Sequence, residues 1–177
     1  MYYIRNIETA VSEMAVSEMI VSKDKKLCNM RFFDRTKEIA ALQEIKAMSE
    51  HSAQFTVVTG RRRIGKTSLI WKAYEYENET FLYFFVARKA EAELCESYQL
   101  EIEQKLGIQT LGRVDSFAQL FEFILKLSVE RPVTLFIDEF QEFFRVNKSI
   151  YSDMQRIWDM HQNTAHINLI VCGSIYQ

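Results

Sequence analysis

The run Phe55-Thr56-Val57-Val58-Thr59-Gly60-Arg61-Arg62-Arg63-Ile64-Gly65-Lys66-Thr67-Ser68 decides the fold. Its first five residues are apolar or β-branched and read as a buried strand ending at Gly60. From Ser68, Leu69-Ile70-Trp71-Lys72-Ala73 continues as a helix. Between them lie two glycines five positions apart, followed directly by Lys66 and Thr67, which is the phosphate-binding loop pattern. The glycines let backbone N–H groups turn inward around phosphate oxygens, and the helix N-terminus faces the anion. On this pattern Gly60, Arg61, Arg62, Arg63, Ile64, Gly65, Lys66, Thr67 and Ser68 cradle a nucleoside triphosphate. Lys66 reaches the β and γ phosphates and the Thr67 hydroxyl ligates Mg²⁺. Three arginines beside a triphosphate raise local anion affinity, whether or not their side chains touch it.

A second motif lies downstream. Val133-Thr134-Leu135-Phe136-Ile137 is a buried strand that delivers Asp138 and Glu139 to the carboxyl edge of a parallel sheet. It resembles a Walker B strand. Asp138 is the expected Mg²⁺ holder and Glu139 the residue that orients or deprotonates the attacking water. Two more strands, Phe81-Leu82-Tyr83-Phe84-Phe85-Val86 and Ile167-Asn168-Leu169-Ile170-Val171-Cys172, alternate with helical segments. The expected fold class is therefore α/β, a P-loop three-layer sandwich around a mostly parallel sheet. The strand between the two motifs is the arrangement of P-loop ATPases with an additional catalytic Glu rather than of nucleotide kinases. By the same analogy Ser174, after the last strand, is the candidate γ-phosphate sensor and counts with Lys66 and Glu139 among the catalytic residues.

Gly60 to Leu69, Phe32-Phe33-Asp34-Arg35-Thr36-Lys37-Glu38-Ile39 and Ile137-Asp138-Glu139-Phe140-Gln141-Glu142-Phe143 together resemble the archaeal-type ATPase family, AAA-like P-loop proteins related to the multidomain signalling NTPases. Tyr83 to Arg88, Gln155 with Trp158-Asp159, and Gly173-Ser174 extend the likeness over about residues 30–177. The resemblance implies ATP and Mg²⁺ as ligands, ATP hydrolysis, and use of the cycle as a conformational switch acting on an unidentified protein or C-terminal domain. It also places Phe33 and Arg35 against the base or nucleotide. In the family fold a fifth strand pairs with the phosphate-loop strand and a helical lid follows, so this chain is expected to be incomplete at its C-terminal end. Residues 55–59 are then expected to form an unpaired sheet edge, and turnover to suffer more than binding. The alternatives are a non-hydrolysing nucleotide-binding fragment and a small-molecule phosphotransferase.

At 177 residues and 48% hydrophobic the chain can bury one α/β core. A net charge of −2 gives no global attraction to nucleic acid or acidic membranes. Cys28, Cys95 and Cys172 are far apart and, with His51, His161 and His166, show no metal spacing; a reduced cytosol is the simplest compartment. No run of about 18 apolar residues suggests a membrane span. Residues 1–29 differ from the rest. Val11-Ser12-Glu13-Met14 recurs as Val16-Ser17-Glu18-Met19, so this stretch is expected to be a mobile arm or a misassigned start before Met30, with an amphipathic helix over residues 7–21 as the alternative. Residues 30–177 form the ATPase domain. Helices are expected over residues 36–48, 91–106 and 115–127, with a last one opening at Ser149. Trp158 packs in the core; Arg88 and Arg156 are candidate charge partners for phosphate or a neighbouring subunit.

Overall fold

The computed structural model describes residues 2–4, 35–74, 80–109 and 112–174. Phe33 and Met30, the repeated segment, the alternative amphipathic helix over residues 7–21, and Cys28 fall outside the described residues. The described chain runs β1 (Tyr2–Ile4), α1 (Thr36–Ser49), β2 (Gln54–Gly60), α2 (Lys66–Ala73), β3 (Phe81–Phe85), α3 (Glu91–Leu106), α4 (Phe117–Leu127) and β4 (Val133–Asp138). A 3₁₀ turn (Phe140–Glu142), a short α5 (Phe143–Val146), α6 (Ser149–His161) and β5 (Ile167–Ser174) complete it.

The five strands form one sheet in the order β1-β2-β5-β4-β3, and every adjacent pair is parallel. A parallel sheet covered on both faces needs strands that are apolar on both sides, and β4 is buried at all six of its residues. The period-two alternation then divides the core. Val58, Phe136, Ile170 and Cys172 face α1 and α2, packing with Leu42, Leu69, Ile70 and Ala73. Leu135, Ile137, Leu169 and Val171 point the other way, toward Cys95, Tyr98 and Ile102 of α3, Phe117, Leu120 and Phe121 of α4, and Ile150, Met154 and Ile157 of α6. The result is a three-layer α/β/α sandwich. Trp158 packs against this second half of the core, its ring tilted 5.5 Å from that of Phe55.

One expectation is corrected here. The phosphate-loop strand is not a bare edge, because Tyr2–Ile4 pairs in parallel with Thr56, Val57 and Val58. A three-residue stretch with the β-propensity of Tyr-Tyr-Ile is enough to cover the middle of β2, and no periodicity that short can be read from sequence. Among the described residues no helix is long and apolar enough to cross a membrane.

Candidate functional site

Parallel strands all deliver their carboxyl ends to one edge of the sheet, where β2, β4 and β5 finish side by side. Register fixes the neighbours: Gly60 stands opposite Ser174, and Phe85 opposite Asp138. Residues 61–65 then leave β2 and return as α2. Two residues in the loop take left-handed backbone, Arg63 at φ 66° and Gly65 at φ 80°. The Gly65 conformation, immediately before the helix, is one that a side chain disfavours. Successive N–H groups curled by such alternation form an anion-binding concavity. Arg61, Arg62 and Arg63 are exposed.

Lys66 is buried, and its ammonium folds back across the loop. It donates to the Gly60 carbonyl at 3.1 Å, to the Arg61 carbonyl at 2.8 Å and to Ser174 Oγ at 3.4 Å. The next residue reaches the second motif: Thr67 Oγ1 donates to Asp138 Oδ2 at 2.9 Å, across 71 positions of sequence. Asp138 is itself buried, and both of its oxygens are engaged. Oδ2 also accepts from the Tyr83 hydroxyl at 3.2 Å, and Oδ1 from the Glu139 N–H at 2.9 Å. Burial, reinforced by the Asp138 carboxylate beside it, pushes the Tyr83 phenol well above its ordinary range, so Tyr83 stays a proton donor. Burial likewise pushes up the nearby Cys172 thiol.

Glu139 leaves the strand in left-handed backbone, φ 54°, a conformation that costs a non-glycine residue about 1 kcal/mol or more. Its Oε2 accepts from Gln141 Nε2 at 2.5 Å. On the opposite side of the loop Arg35, just before α1, donates from Nη2 to the Ile64 carbonyl at 2.6 Å. Its Nη1 is buried with no hydrogen-bond partner among the described residues. A buried guanidinium nitrogen without a partner next to a phosphate-type loop has the chemistry to meet an anion or a base acceptor.

Among the described residues no three or more His, Cys, Asp or Glu side chains gather as a metal group. The Thr67 and Asp138 oxygens are instead a two-ligand set of the kind Mg²⁺ accepts together with phosphate oxygens and water. The fit to Mg²⁺ is good in donor type and burial.

The structure therefore brings Lys66, Thr67, Asp138, Glu139, Ser174 and Arg35 to one place. It does not bring Arg88 there. Arg88 donates to Glu142 at 2.9 and 3.4 Å, and this buried carboxylate, 6% exposed, also has Arg145 at 3.7 Å; a charge buried that deeply demands a partner. Arg156 lies exposed on α6, with Nη1 3.7 Å from Met160 Sδ. Sequence reasoning missed Tyr83 and Gln141 as site residues. The signal for both was positional, one on the strand beside Asp138 and the other two residues beyond Glu139.

Residues 32–175 match the model of a family described as an ATPase domain found predominantly in Archaea. An uncharacterized protein of Methanocaldococcus jannaschii is 29% identical over 143 residues, which is 81% of this chain and 29% of that protein. A Walker-type ATPase of Pyrococcus abyssi superposes with a TM-score of 0.55 at 19% identity, over 86% of this chain and 48% of that one. The chain thus spans less than a third of the one relative and about half of the other.

Proposed function

Since the chain belongs to the family of ATPase domains found predominantly in Archaea, we propose that it binds Mg-ATP on residues 60–68 and hydrolyses it, using the cycle as a conformational switch. The observation that carries this reading is the 2.9 Å bond from Thr67 to Asp138, with Glu139 immediately beyond. It supports the reading because the end of the loop, two oxygens of the type Mg²⁺ accepts and a second carboxylate are close neighbours.

The backbone N–H groups of the loop hold the triphosphate, and the Lys66 ammonium exchanges loop carbonyls for β and γ phosphate oxygens. Thr67 and Asp138 hold Mg²⁺, which when bound neutralises charge on those oxygens. Glu139 aligns a water whose oxygen attacks the γ-phosphorus. The bond to the ADP oxygen breaks, and the water proton passes to the Glu139 carboxylate. Ser174, already within reach of Lys66, contacts the γ-phosphate from the end of β5. Arg35 offers its buried Nη1 to the nucleotide. A further domain or protein partner receives the resulting movement.

The test is calorimetry with Mg-ATP alongside phosphate release, on the native chain and on Lys66→Ala and Glu139→Gln. The expected result is binding lost in Lys66→Ala, and binding kept with turnover abolished in Glu139→Gln. Binding without phosphate release by the native chain would replace the reading with a non-hydrolysing nucleotide module. A phosphorylated metabolite in place of free phosphate would make it a phosphotransferase.

A further inference from the structure

Gln141 makes two bonds at once. Its amide nitrogen donates to Glu139 Oε2 at 2.5 Å, and its carbonyl oxygen accepts from the backbone N–H of Ser174 at 3.2 Å. A side-chain amide supplies a donor and an acceptor in one rigid plane, and this one spans from the end of β4 to the end of β5. Gly173 leaves room for it. A Cβ at position 173 would stand 2.8 Å from Gln141 Oε1. Ser174 in turn accepts from Lys66, so an unbroken chain of contacts runs from the Glu139 carboxylate through Gln141 and Ser174 to the loop lysine.

We propose that Gln141 is a positioning residue for hydrolysis, clamping Glu139 to the end of β5 so that the carboxylate is aligned when Lys66 and Ser174 hold the terminal phosphate. This rests on the reading of Glu139 as the group that orients water. Glu139 has several free torsions and a backbone held in left-handed geometry, and one amide fixes its carboxylate. Displacing a positioned catalytic group by about 1 Å costs on the order of a hundredfold in rate. Among the described residues Gln141 makes no hydrogen bond to the loop or to Asp138, so nucleotide affinity is expected to survive its loss.

The experiment measures Mg-ATP affinity, KM and kcat on the full chain for Gln141→Ala, Gln141→Glu, Gly173→Ala and the Gln141→Ala/Gly173→Ala pair. Gln141→Glu keeps the side-chain volume while removing the donor and setting an anion against Glu139, so it reports even if Gln141→Ala folds poorly. The expected result is a fall in kcat of about ten- to a hundredfold in each single variant, with Kd and KM within about twofold. Gly173→Ala acts by displacing Gln141, so the double variant should be no slower than the singles, whereas independent structural damage would add. Two results overturn the inference while leaving the hydrolytic reading intact: kcat within about twofold of native in folded Gln141→Glu or Gln141→Ala, or additive losses in the pair. A native chain with no turnover, or turnover untouched by Glu139→Gln, overturns the hydrolytic reading and this inference with it.

Discussion

Arg35 does two jobs with one guanidinium: Nη2 fixes the Ile64 carbonyl of the loop, and Nη1 is buried and unpartnered among the described residues. A planar fork can do both, whereas an ammonium is a single point charge. Arg35→Ala is therefore expected to weaken Mg-ATP binding by about tenfold, equivalent to about 1.4 kcal/mol, and Arg35→Lys to recover little of it. Calorimetric titration checks both, and unchanged affinity in Arg35→Ala would remove it from the nucleotide site. How legible each residue was follows from how local its partners are. Gly60 to Thr67 and Asp138-Glu139 are contiguous, so spacing alone announced them. Tyr83 and Gln141 acquire their roles from sheet register and from a turn after β4, which no local pattern encodes. Arg88, a candidate partner for phosphate or a neighbouring subunit, shows the same limit: the buried Glu142 carboxylate it bonds lies 54 positions away, beyond any local pattern.

Elements show the same division between local and distant causes. Helices α1, α3 and α6 lie where the apolar period places them, though in none does the N-cap residue make a side-chain capping bond, and α3 closes at Gly107 in left-handed backbone. Helix α4 begins at Phe117 rather than at the expected residue 115. Its Ser116 makes no side-chain cap; instead the Phe117 N–H donates to Glu91 Oε1 at 2.7 Å, from the first turn of α3. The other oxygen of Glu91 accepts from Asn147 Nδ2 at 2.8 Å, just before α6. One carboxylate thus ties three helices on the face of the sheet opposite α1 and α2. Glu91→Ala leaves these two donors without their acceptor, at a cost of about 1–3 kcal/mol. For a chain of this size that lowers Tm by about 2–4 °C per kcal/mol. Thermal unfolding followed by circular dichroism should show that drop, while Mg-ATP affinity stays at the native value, since α1 and α2 lie across the sheet. An unchanged Tm would mean that solvent replaces both bonds without loss.

At the scale of the whole molecule, the all-parallel sheet brings the carboxyl ends of its strands to one edge, and among the described residues the outer side of β2 is covered by the three residues of β1. That cover is thin. A chain lacking residues 1–4 exposes the N–H and C=O groups of an apolar strand, and such edges pair with other chains. Light scattering across a concentration series should show association in the shortened chain and none in the native one; equal behaviour would mean that β1 does not guard this edge. On the other side β2 depends on β5, with Gly60 opposite Ser174 and Lys66 bonded to a residue 108 positions later. On a ribosome adding about 5–20 residues per second, that partner follows roughly 5–20 s after the lysine. The phosphate loop is therefore among the first signatures to be synthesised and among the last to be assembled. During that interval the nascent chain carries an apolar strand that has yet to meet its neighbour, which is when a chaperone would have something to hold.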